Sequence, residues 1–185
     1  MEYIIHILAV FIALGFLLKV GFYHRWGVIA TAIGCALFVW WITPWITELS
    51  QPDMAAFFAS RSQMLDLSVG ITLEAAFMIT FCFNCFAETR SRNTWLKQLV
   101  TKLLRIYPGI IIGGVLCYVL ALLLFSFPGM DFDNLRWIMS VATLLFVCGG
   151  SWLLKYSIGN EPLRLEVLFI VNLFIVLLSI IVTGY

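Results

Sequence analysis

Charge is scarce in this 185-residue chain: 11% of its residues are Asp, Glu, Lys or Arg, against roughly a quarter in ordinary soluble domains. With 63% hydrophobic residues and a mean hydropathy of +1.04, the shortage excludes a soluble fold, because no chain of this length hides so much apolar surface in one core. The few charges nearly cancel, at a formal net of +1 and a pI of about 7.6, so there is no basic surface for nucleic acid. Histidine is scarcer still. His6 and His24 are the two present, and they are expected at opposite faces of one helical hairpin, where they cannot form a bis-histidine haem site. The chain also lacks a Gly-rich phosphate loop, H-E-x-x-H, G-x-S-x-G and paired carboxylates at helical spacing inside an apolar run. No catalytic residue, metal site or cofactor is therefore expected, and enzymatic activity is undecided, with a non-enzyme the favoured reading.

What the chain has in abundance is long apolar runs. Stretches of about twenty residues cover 3–22, 27–46, 67–86, 107–127, 137–156 and 165–183. Nothing alternates with a period of two, and unpaired backbone groups are not tolerated in hydrocarbon, so these are helices and not barrel strands. The expected fold class is all-α: a six-helix transmembrane bundle forming a single domain over 1–185, with the lipid bilayer as its first partner. The first run is expected to remain as a span, since Glu2 stands where a signal sequence would carry cations and no small-residue cleavage site precedes Lys19.

Six crossings divide the cations unevenly. One side receives Lys19, Arg25, Arg90, Arg92, Lys97, Lys102, Arg105, Lys155 and Arg164, and the other only Arg61 and Arg136. By the positive-inside rule both termini face outward and the basic connections face the cytoplasm, as in a bacterial inner membrane. The longest basic connection, NTWLKQLVTKLLRIYPG, puts Trp95, Leu96, Leu99, Val100, Leu103 and Leu104 on one helical face. It predicts an interfacial amphipathic helix over about 94–106, with Lys97, Lys102 and Arg105 turned to headgroups or to a partner protein. The opposite connection, 51–67, predicts a short interfacial helix carrying Phe57 and Phe58.

Small residues mark close helix approaches: Gly109 with Gly113, and the cluster Gly149, Gly150 and Ser151. All five cysteines, Cys35, Cys82, Cys85, Cys117 and Cys148, fall inside spans. Cys82 and Cys85 form a lone C-x-x-C with no second pair, so packing outweighs redox or metal chemistry.

The residue that stands out is Glu74, inside the run VGITLEAAFMITFCFNCF. A carboxylate well inside the hydrocarbon costs several kcal/mol unless it is neutralised, paired or wetted, so it should face the bundle interior. Its own helical face, with Leu67, Gly70, Met78 and Phe81, offers no polar partner. His6, one turn into the first span, is the first candidate partner and would make a proton-relay pair. Tyr118, Asn172 and Ser140 are the other candidates, and Asn172 is alternatively an interhelical hydrogen-bonding group.

Three classes of function remain. The expected one is a multipass subunit of a larger cell-envelope membrane complex, linked to transport, with Glu74 at a helix interface or a proton or ion site. The second is a stand-alone or oligomeric transporter or channel. The third is a membrane enzyme or redox protein acting on lipid or quinone. Other membrane subunits are the expected partners, with a homo-oligomer as a further possibility.

Overall fold

The computed structural model describes residues 2–48, 52, 56–57, 60–88, 103–104, 106–126 and 131–184. Among them are six helices: α1 (Glu2–Val20), α2 (Arg25–Thr47), α3 (Arg61–Glu88), α4 (Ile111–Ser126), α5 (Phe132–Ser157) and α6 (Glu161–Gly184). All except α4 are long and apolar enough to cross a membrane, and the chain is an integral membrane protein. Large side chains such as Leu37, Phe77, Leu145 and Leu177 are more than half exposed, which suits helices whose outer faces are solvated by lipid.

The helices differ from the apolar runs in instructive ways. α3 begins at Arg61, six residues before its run, and its 28 residues make a rod of about 42 Å. α4 begins four residues after its run does, and its 16 residues reach only about 24 Å, short of a hydrocarbon core near 30 Å. The interfacial helix predicted over 94–106 falls mostly outside the described residues, of which only Leu103, Leu104 and Ile106 are helical there. Phe58 also lies outside them.

α3 runs antiparallel to α6, and α1 to α4. Ser68 near the start of α3 meets Ser179 near the end of α6, their hydroxyls 2.7 Å apart and both buried. His6 near the start of α1 meets Tyr118 at the middle of α4, while Ile12 and Phe16 further along α1 lie with Ile111 at its start. α1, α3 and α6 share one apolar core built on Leu8, Ile12, Ile71, Phe81, Leu168 and Ile175. α2, α4 and α5 share another, around Val39, Ile46, Leu120 and Met139. α1 joins them by packing Phe16, Leu17 and Val20 against Ala32, Ile112 and Val147. Small residues allow this closeness where they were expected in part: a Cβ on Gly150 would lie 2.9 Å from Leu17, and one on Gly113 would lie 3.3 Å from the Phe38 ring, whereas Gly149 faces open space.

Pro44 shows how the bundle repairs its own backbone. Inside α2 it has no N–H, so the carbonyl four residues back, on Trp40, loses its helical donor. Arg136 of α5 supplies one: its Nε donates to the Trp40 oxygen at 2.8 Å, and its guanidinium lies 3.8 Å over the Trp40 ring.

Candidate functional site

The most polar place inside the bundle is the beginning of α4, and its local sequence explains why it needs help. Pro108 disfavours helical backbone at Tyr107 before it. Gly109 then turns with φ +107°, in the left-handed region open mainly to glycine. The helix starts at once, with the Gly113 N–H bonded to the Ile110 carbonyl at 2.9 Å. Ile110 therefore occupies the cap position, where Ser, Thr, Asp or Asn would normally accept a bond from the exposed N–H groups. An isoleucine has no oxygen to offer.

Glu74, halfway along α3, supplies the missing acceptor. Its Oε2 receives the N–H of Ile110 and the N–H of Ile111, each at 2.9 Å, and the Tyr107 hydroxyl at 3.2 Å. A helix start carries roughly half a positive charge, so an acidic group from a neighbouring helix is both a cap and an electrostatic partner. The fit is close: a Cβ on Gly109 would lie 2.7 Å from Glu74 Oε1. Glycine is thus required at 109 by its backbone angle and by the carboxyl above it.

Two carbonyls leading to this point also receive side-chain donors. Lys19 Nζ donates to the Leu104 carbonyl at 2.9 Å, and the Tyr23 hydroxyl donates to the Ile106 carbonyl at 3.2 Å. Lys19 is fully buried, with its ammonium 2.8 Å above the centre of the Phe81 ring. Burial pushes the Tyr23 phenol up to about 12. Lys19 and Tyr23 hold the carbonyls of Leu104 and Ile106, and Glu74 holds the N–H groups of Ile110 and Ile111.

The candidate residues are therefore distributed differently from the expected pairing. Glu74 meets Tyr107 and the backbone of α4. His6 meets Tyr118: the hydroxyl lies 3.3 and 3.4 Å from its two ring nitrogens, and the rings pack edge to face at 5.5 Å. Asn172, 3% exposed, donates from Nδ2 to the Leu168 carbonyl of its own helix at 2.7 Å. It still comes close to Glu74, because both line a cavity of about 20 Å³ between α1, α3, α4 and α6, room for about one water molecule. The Ser140 hydroxyl is buried with no hydrogen-bond partner, on the far side of the bundle in α5. Cys82 is buried and Cys85 half-buried in α3, and Cys35, Cys117 and Cys148 are free thiols. Lys97, Lys102 and Arg105 lie outside the described residues.

Four participants were not tied to this site from the sequence: Tyr107, Gly109, which was read only as a close helix approach, Lys19 and Tyr23. A signal for the first two was present. Pro-Gly followed directly by an apolar helix with no capping residue leaves N–H groups to be satisfied from elsewhere, and the acid that the sequence places well inside an apolar run is Glu74. Lys19 reads like any cation beside a turn, and only tertiary packing reveals its burial. No protein-family model, curated protein or solved structure matches this chain.

Proposed function

We propose that this chain is a multipass subunit of a larger cell-envelope membrane complex linked to transport, in which α4 is the moving part and Glu74 its latch. The observation behind this is a helix that starts in mid-bundle with its positive end held by a single carboxyl. Discontinuous helices of this kind serve ion and substrate handling elsewhere, because a half-helix terminus presents unpaired backbone groups to charge. Here the same N–H groups are shared with a group whose charge depends on a proton. Loss of that charge weakens its bonds to α4, so occupancy by a proton and the position of α4 are linked. We place the termini outside and the membrane as a bacterial inner membrane, on the distribution of lysine and arginine.

A stand-alone transporter is the second reading, favoured by the same broken helix. Extraction of the natively expressed chain in mild detergent separates the two. A subunit brings partners at fixed stoichiometry, and proton uptake by proteoliposomes of that complex falls when Glu74→Gln is introduced without loss of assembly. A chain that purifies alone and moves protons unaided establishes the second reading. Unchanged uptake in assembled Glu74→Gln removes the latch from either.

A further inference from the structure

Glu74 has two oxygens, and the capping of α4 uses one. Oε2 accepts all three bonds, from the N–H groups of Ile110 and Ile111 and from the Tyr107 hydroxyl. Oε1 accepts none from the described residues. Asn172 repeats the pattern across the cavity that both residues line. The Leu168 carbonyl 2.7 Å away fixes Nδ2 as the amide atom on that side, because the amide oxygen could not bond to it. Oδ1 therefore points the other way, with no donor among the described residues, on a side chain only 3% exposed. A buried acceptor left without a donor is destabilising, and two of them on one small cavity call for a shared donor.

We propose that one water molecule binds in this cavity and donates to Glu74 Oε1 and Asn172 Oδ1, and that Oε1 is the oxygen on which Glu74 takes its proton. Size and lining select this ligand. About 20 Å³ holds a single water, and two acceptors match its two hydrogens. A divalent cation takes about six oxygens or more, whereas the rest of the lining, such as Ile12, Met78 and Ile175, is apolar. The same water satisfies both forms of the acid. In the ionised form it donates to both oxygens. When a hydronium ion of the aqueous phase gives up its proton, the carboxylate gains an O–H bond at Oε1 and a water is left behind. Oε1–H then donates to the cavity water, which turns and keeps its bond to Asn172 Oδ1. Oε2 stays an acceptor for Ile110 and Ile111, so protonation weakens the latch without releasing it. Among the described residues, Tyr107 is the other titratable group bonded to Glu74, and no further residue lining the cavity titrates. Lys19 of α1 and Arg164 of α6 are turned to the rings of Phe81 and Phe22. Asn172 is thus a positioning residue that acts on Glu74 through the water and ties α6 to the contact of α3 with α4. The place of the proton rests on the proton-linked reading of Glu74; the water follows from the geometry alone.

The test is infrared difference spectroscopy of the full chain in lipid nanodiscs, acidic minus neutral buffer, in ordinary and in heavy-oxygen water. Subtracting the same difference for Glu74→Gln isolates the bands of Glu74 and of the water it touches. The expected result is an O–H stretching band that moves to lower frequency in heavy-oxygen water, together with the C=O band of a hydrogen-bonded carboxyl. Two variants remove the water by different means. Asn172→Leu takes away Oδ1. Gly15→Ala adds a methyl to the cavity wall, where its Cβ makes ordinary contacts of 3.5 Å with Ile175 and Val171. Each should abolish the isotope-sensitive band and shift the Glu74 C=O band upward. Gly149→Ala, in open space and in α5, should change neither. No isotope-sensitive band in the unsubstituted chain overturns the proposal, as does a band that survives both variants in protein that melts normally. A band that disappears when choline replaces sodium also overturns it and assigns the cavity to a cation. The measurement needs neither partners nor flux, so its failure is distinct from that of the transport-linked function, which extraction and proton uptake decide.

Discussion

Replacing Glu74 puts a number on the bond between α3 and α4. Its Oε2 accepts two backbone N–H groups at 2.9 Å and a tyrosine hydroxyl at 3.2 Å. Hydrogen bonds to a charged acceptor contribute about 1.5–3 kcal/mol each, and neutral ones about 0.5–1.5. In Glu74→Gln the amide oxygen can still occupy the Oε2 position, so the bonds survive without charge assistance, and the expected loss is about 2 kcal/mol. Glu74→Ala leaves two N–H groups without an acceptor in an apolar setting, and the expected loss rises to about 4 kcal/mol. Unfolding by sodium dodecyl sulfate in bicelles, followed by tryptophan fluorescence, measures both. The same assay tests the partner first expected for this residue. Because His6 is engaged with Tyr118, His6→Ala and Glu74→Gln should be additive within about 0.5 kcal/mol. A loss below about 0.5 kcal/mol for both Glu74 variants, or strong coupling between Glu74 and His6, would refute the capping geometry.

Four other substitutions probe the same physical logic. Gly109→Ala meets both a backbone angle of +107° and the carboxyl, and should cost about 2–4 kcal/mol in that unfolding assay; a neutral result contradicts the close approach. Arg136→Leu strips the donor from the Trp40 carbonyl and should cost about 1–3 kcal/mol. Pro44→Ala restores a helical donor to that carbonyl, so the double variant should show coupling of at least about 0.5 kcal/mol, read from the four unfolding curves. Tyr23, whose phenol burial raises from 10.0 to about 12, favours the folded state below pH 10, and that contribution is lost as pH rises from 10 through 12. Melting temperature should therefore fall more steeply across that window in the unsubstituted chain than in Tyr23→Phe, and equal slopes would contradict the burial of the phenol.

The helical class was legible because hydrocarbon leaves the backbone few choices, and runs of apolar residues announce themselves. The boundaries were less so. Arg61 to Asp66 continue α3 although four of the six are polar, since helix geometry does not stop where lipid does. Tyr107 to Ile110 fall outside α4 although they look apolar, since Pro108 and Gly109 control backbone angles and not hydropathy. Glu74 stood out as a buried acid, but its partner did not. A search for the complement of a carboxyl among side chains leads to His6, Tyr118 and Asn172, whereas the group that satisfies it is mostly main chain, which no side-chain inventory displays. Lys19, Arg136 and Arg164 were counted as connection charges. In the fold Lys19 and Arg164 are buried and Arg136 serves α2, because each long stem reaches back along a neighbouring helix.

The capping of α4 by Glu74 is carried by the N–H groups of Ile110 and Ile111. Amide hydrogen exchange by NMR in bicelles reads them individually. With Glu74 present both should be protected like the interior of α5, and in Glu74→Ala both should exchange at least about tenfold faster, the kinetic counterpart of losing some 1.4 kcal/mol or more of local stability, while α5 stays unchanged. Equal exchange with and without the carboxyl would show that something other than Glu74 holds the start of α4.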